Sequence, residues 1–160
     1  MRAEAIRYIV LHCSATRSDC PYSPEALERD HLARGFHGAG YHFYIHLSGT
    51  IIPLRPLHQI GAHVRGYNSC SWGICYEGGI DPNGKATDTR TEAQKVALRQ
   101  LLVQLKALAP QAEIVGHRDL SPDRNGDGHI DSSEWIKLCP CFDARTEYKH
   151  LTSPTTPHGK

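Results

Sequence analysis

Histidine and cysteine can bind a transition metal, and three such residues in this chain stand at suggestive places. His12 ends the apolar run Tyr8-Ile9-Val10-Leu11. His117 follows Glu113-Ile114-Val115-Gly116. Cys139 lies in Lys137-Leu138-Cys139-Pro140-Cys141. Two imidazoles and one thiolate suit zinc, and three protein ligands leave a fourth position for water, the arrangement of a catalytic rather than a structural zinc. The expected chemistry is hydrolysis. The ligands are scattered, so local spacing alone does not establish the site, and the elements that deliver them carry the argument.

Residues 6–12 read as a short buried strand. Ser23-Pro24 opens a helix, with Ser as N-cap and Pro at the first helical position, and Gly35 closes it. Tyr41, Phe43 and Ile45 alternate with His42, Tyr44 and His46, which predicts a strand. Ser48-Gly49 turns that strand into 50–54 as a hairpin. Residues 72–77 predict another strand. Thr91-Glu92-Ala93-Gln94 is a capping box. It starts a helix whose Leu98, Leu101, Leu102, Leu105 and Leu108 share one face, and Pro110 stops it. A short strand then delivers His117, and 142–150 predicts a last helix. The expected fold is α/β, a single domain with a mixed central β-sheet flanked by helices. Both histidines fall at C-terminal strand ends, where such sheets place ligands. The domain is expected over 1–150 with an insertion at 121–135, and 151–160 as a disordered tail.

The bulk numbers narrow the function. The 160 residues suffice for one domain with a core. A formal net charge of +1 leaves no electrostatic footprint for nucleic acid or anionic lipid. No stretch approaches a membrane span of roughly 20 apolar residues. The first residues show no apolar signal region, so the expectation is a chain made in the cytoplasm without an export signal. Six cysteines permit disulfides without requiring them. Cys13, beside an apolar strand, reads as a small buried hydrophobe.

Five short motifs occur in order: Val10-Leu11-His12-Cys13-Ser14-Ala15-Thr16; Gly40-Tyr41-His42-Phe43; Gly61-Ala62-His63 with Gly66-Tyr67-Asn68; Gly116-His117-Arg118-Asp119; and Lys137-Leu138-Cys139-Pro140. Together they resemble the zinc-dependent N-acetylmuramoyl-L-alanine amidases of type 2, which include phage lysozyme-type amidases and peptidoglycan recognition proteins. The resemblance spans residues 6–148. It implies zinc on His12, His117 and Cys139, catalytic roles for Tyr41 and Lys137, and a groove for glycan or peptide lined by His63, Asn68 and Trp72. The bond cut would join the lactyl group of N-acetylmuramic acid to L-alanine of the stem peptide. The implied partner is peptidoglycan or a soluble muropeptide, with no protein partner and a monomeric state. A lysin acting on the cell wall after release is the leading role. A cytoplasmic recycling amidase and a non-catalytic recognition module are the alternatives, the latter disfavoured because Cys139, Tyr41 and Lys137 are all present.

Two features depart from that pattern. Cys141 stands where the family often has a small residue; it would compete for zinc, form a disulfide or simply pack. Cys139 is favoured as ligand because it matches the motif and precedes proline. The second departure is 123–134, which carries the twelve-residue calcium-loop pattern: Asp123, Asn125, Asp127, Asp131 and Glu134 at positions 1, 3, 5, 9 and 12, Gly128 at 6, and the His129 carbonyl at 7. Calcium is therefore expected as a second cofactor, rigidifying the segment that delivers Lys137 and Cys139.

Overall fold

The computed structural model describes residues 1–152. Five strands form one sheet in the order β4-β3-β5-β1-β7. They are β1 (Tyr8–Cys13), β3 (Phe43–Ile45), β4 (Ile51–Pro53), β5 (Ser71–Tyr76) and β7 (Glu113–Gly116). The short β2 (Thr16–Arg17) and β6 (Gly79–Ile80) pair beside it. β1 runs parallel to both neighbours, with His12 opposite Cys75 of β5 and Leu11 opposite Gly116 of β7. β3 is parallel to β5, and only the hairpin strand β4 is antiparallel, so the sheet is mixed as expected.

The parallel strands carry elements on both faces, which is why they read as continuous apolar runs. All six residues of β5 are buried. The same cover explains a departure in β3. Tyr44 and Ile45 are both fully buried, so the alternation expected over 41–46 is not one of inside and outside. Tyr41 precedes the strand and is not part of it.

α1 (Pro24–Ala33) starts as its sequence dictates: the Ser23 side chain accepts from the Ala26 amide. α2 (Glu92–Leu108) has the full capping box, Thr91 and Gln94 satisfying each other's amides. Gln94, fully buried, also donates to the carbonyls of Ile45 and Glu77, tying the helix start to the ends of β3 and β5. Leu98, Leu101, Leu102 and Leu105 face the main core. Leu108 does not: it is exposed, and Ala109 and Ala112 take the buried places as the chain turns toward β7.

The helix expected over 142–150 is two short ones, α3 (Ala144–Glu147) and α4 (Lys149–Thr152). Asp143 caps the first by accepting from the Thr146 amide. Arg90, buried over the Phe142 ring at 3.3 Å, pairs with Asp88 and Glu147 and fastens this end to the body. Of the tail expected over 151–160, Leu151 lies in α4 and packs against the core, and 153–160 lies outside the described residues.

Candidate active site

The carboxyl end of β1 and the turn that follows β7 line a cleft of about 940 Å³. His12 is the penultimate residue of β1, and His117 opens the 3-10 turn that follows β7. Adjacent parallel strands in register bring the two rings to a centroid separation of 4.8 Å. Cys139 arrives from the far end of the 121–138 segment and is pinned there. Its carbonyl accepts from the Arg118 amide at 2.9 Å, and its sulfur accepts from the Cys13 amide at 3.2 Å. The Tyr76 hydroxyl donates to the Pro140 carbonyl at 2.7 Å. Gly116 admits this loop: a Cβ there would lie 2.5 Å from Pro140 Cδ.

These three side chains fit zinc. Their ligand atoms lie within 4.8 Å of one another. Nδ1 of His12 and Nδ1 of His117 face each other at 3.1 Å. Two nitrogens bound to one tetrahedral zinc would be about 3.3 Å apart. Both rings are held neutral, as metal ligation requires. Burial pushes His117 down to about 4, with Lys137 acting the same way. Burial lowers His12 well below its ordinary value, helped by His63, His117 and Lys137. Cys141 is turned away from this centre. Its sulfur lies 3.9 Å from that of Cys13 and donates to the Gly79 carbonyl. The neighbouring Cys139 sulfur raises the Cys13 thiol to about 12, and Cys13 in turn raises Cys141, so both remain protonated. No disulfide forms among the described residues.

Tyr41 stands over the centre, its ring 4.9 Å from that of His12. Burial raises its phenol well above the ordinary value, so it stays protonated and able to donate a hydrogen bond. Lys137 lines the same cleft from an exposed position at the rim.

The expected groove residues divide. Asn68 lines the cleft, but its carbonyl oxygen is engaged by the amides of His63 and Val64, both at 2.9 Å. His63 also borders the cleft, yet its ring is buried and directed at His12. Trp72 is not in the groove. It is 2% exposed in the main core, and its indole N–H donates to the Leu57 carbonyl. A side chain one residue along a fully covered parallel strand has only the core to enter. Sequence reasoning missed His31, which lines the cleft from α1 and accepts from the Gly40 amide at 2.9 Å. Its spacing of four residues from Leu27, on one helix face, was the available signal.

The 121–138 segment has no helix or strand. Arg118 stacks on Trp135 at 4.0 Å, and the Ile136 amide donates to Ser121, so both ends are docked. Asp123, Asn125, Asp127, His129 and Asp131 are exposed, while Glu134 is buried. Their oxygens accept loop amides: Asp123 from Gly126 and Gly128, Asn125 from Asp127, Glu134 from Arg124, Asn125 and Asp131. Among the described residues, only His12, His117 and Cys139 form a group of three close His, Cys, Asp or Glu ligand atoms, so the structure does not gather the 123–134 carboxylates.

Comparison with known proteins follows the same lines. The family model for N-acetylmuramoyl-L-alanine amidase matches residues 2–132, ending before Lys137 and Cys139. An endolysin of Klebsiella phage KP32 is 36% identical over 151 residues, covering 94% of this chain and 91% of the relative. An endolysin of Escherichia phage T7 is 33% identical over 156 residues, covering 98% and 94%. Among solved structures, the N-acetylmuramoyl-L-alanine amidase LysC from Clostridium intestinale URNW superposes with a TM-score of 0.71 at 25% identity, over 95% of this chain and 89% of that one. With sequence, fold and near-complete coverage in agreement, the chain belongs to the N-acetylmuramoyl-L-alanine amidase family.

Proposed function

We propose that the chain is a zinc-dependent lysin-type amidase that cuts the bond between the lactyl group of N-acetylmuramic acid and L-alanine of the stem peptide. The observation that carries this is the convergence of His12, His117 and Cys139 on one open-sided point beneath Tyr41 and Lys137. When bound, zinc supplies Lewis acidity to the scissile carbonyl and to a water molecule. The chain's own residues do the rest. The Tyr41 phenol donates a hydrogen bond to the oxygen that gains charge during attack. Lys137, a cation at the rim, stabilises the same charge. His12 and His117 remain neutral ligands, and the Cys13 amide holds the Cys139 sulfur in place. Likeness to two phage endolysins along nearly their whole length supports polymeric murein as substrate. Among the described residues no helix is long and apolar enough to cross a membrane, and the enzyme acts as a monomer on wall material it reaches after release.

The test is parallel digestion of purified sacculi and soluble anhydro-muropeptide, with and without a chelator. Release of free stem peptide from sacculi, lost on zinc removal and restored by zinc, is expected. Cleavage of the soluble substrate alone replaces the lysin role with recycling. Binding without cleavage makes the chain a recognition module, and undiminished activity after zinc removal overturns the metal mechanism.

Calcium on 123–134 is the second cofactor we infer, from the twelve-residue pattern and from Glu134, the position-12 carboxylate, which is buried under an otherwise exposed loop. Binding would draw the acidic oxygens off the amides that now occupy them and inward to the ion. Titration calorimetry of calcium into metal-stripped protein should give saturable heat and a higher melting temperature. No heat and no shift would refute it.

A further inference from the structure

We propose that His63 is a positioning residue: a hydrogen-bonded line from the Tyr67 carbonyl through Ser71 and His63 fixes the tautomer of His12, leaving the His12 Nδ1 lone pair bare toward the metal position. The direction of every proton in the line follows from its far end. A backbone carbonyl only accepts, so the Ser71 hydroxyl donates its one proton to Tyr67 O, at 2.8 Å. Toward His63 Nε2, at 3.3 Å, the Ser71 oxygen is then an acceptor and Nε2 carries the hydrogen. The His63 ring is buried and, among the described residues, its two nitrogens meet only Ser71 and His12, with no carboxylate against either to hold a second proton, so with Nε2 protonated its Nδ1 is bare. His12 Nε2, 3.0 Å from that Nδ1, must donate. A neutral His12 protonated at Nε2 has its lone pair at Nδ1, the atom that faces His117 Nδ1 at 3.1 Å.

The packing shows that the His63 ring is placed rather than loosely lodged. A Cβ at Gly61 would lie 2.6 Å from His63 Cδ2, and one at Gly73 would lie 2.6 Å from its Cγ. The ring therefore fits a slot that two residues without side chains leave open. Asn68 fixes the backbone below it through the His63 and Val64 amides. With both ring nitrogens engaged inside the protein, His63 has no polar atom left for the substrate. The role expected for it as a groove residue is replaced by one exerted through His12. Ligating histidines generally donate their second N–H to a fixed acceptor, which sets tautomer and ring orientation. Here that acceptor is another imidazole, and its own orientation is set by a backbone carbonyl two links away.

The metal-affinity part of this inference rests on the zinc reading; the tautomer part does not. Long-range proton–nitrogen correlation of the histidine rings in metal-free protein should show both His12 and His63 protonated at Nε2. Protonation of either at Nδ1 overturns the proposal. This measurement uses the wild-type chain, so it stands whether or not a variant folds. Zinc affinity is then measured by competition with a chromophoric chelator. His63→Asn keeps an acceptor oxygen where Nδ1 was and should bind zinc nearly as well as wild type. His63→Phe fills the slot without an acceptor and should bind zinc about 10–100-fold more weakly. Equal affinity for His63→Phe and wild type overturns the proposal, as does His63→Asn binding as weakly as His63→Phe. A wild-type protein that binds no zinc defeats the proposed function instead, and leaves the tautomer result to decide this inference alone.

Discussion

At the residue scale, burial decides what each polar group near the centre can do. Tyr41 stays a phenol because its environment penalises the phenolate, so the contribution proposed for it is a donated hydrogen bond. Tyr41→Phe keeps the ring against His12 and removes only the hydroxyl. It should lower kcat by about 100–1000-fold, with zinc affinity unchanged, as rates on soluble muropeptide and a zinc titration will show. His42 gives a pH prediction separate from the metal. Its Nδ1 accepts from the Gly73 amide and its Nε2 pairs with the Gln59 carbonyl, so the neutral ring is fully satisfied. Burial lowers it to about 4. The unfolded chain takes up this proton near 6.5 and the folded one only near 4, so stability falls as pH falls between those values. The loss should reach about 3 kcal/mol at its low-pH limit. Denaturant unfolding of wild type and His42→Asn across that range checks it, and the variant should show the shallower slope.

At the element scale, the site is built from strand ends and one long connection. Strands β1, β5 and β7 were legible as apolar runs, and the two main helices as a Ser-Pro start and a capping box, because these are local patterns. The limits of β3, which leaves Tyr41 out, and the split of the last helix were not legible, because cover on both faces and the Arg90 ion pairs come from distant chain. Trp72 shows the same limit. Its type suited a binding platform, but its strand lies under cover on both faces. Gly116 gives the prediction that belongs here. Its backbone φ of −84° suits any residue, yet an added Cβ would strike the Pro140 ring next to Cys139. Gly116→Ala should cost about 1–3 kcal/mol. The loss in melting temperature should be larger for zinc-loaded than for metal-free protein, since the loop that must shift carries a ligand.

At the scale of the whole molecule, zinc held by His12, His117 and Cys139, as proposed, would also be a cross-link. It would tie the segment after the insertion, which the Cys13 and Arg118 amides and the Tyr76 hydroxyl hold in place, to the already paired strands β1 and β7. Free zinc at about a hundredfold its dissociation constant should add about 2.7 kcal/mol. For a chain of this length that corresponds to roughly 5–10 °C in Tm. Melting curves with zinc and with chelator measure this directly, and coincident curves would remove zinc as a structural tie.

The sequence by itself determined the ligand types, the family and the strands that carry the two histidines. Those follow from residue chemistry and from patterns a few residues long. Only the tertiary structure decided that Cys139 rather than Cys141 turns to the histidines, that Trp72 enters the core, and that His63 faces His12. Each depends on which side of a strand or loop is already occupied by residues far away in the chain, as the Gly61 and Gly73 slot shows for His63. Steric fit of that kind is a property of the packed molecule, and no local pattern records it.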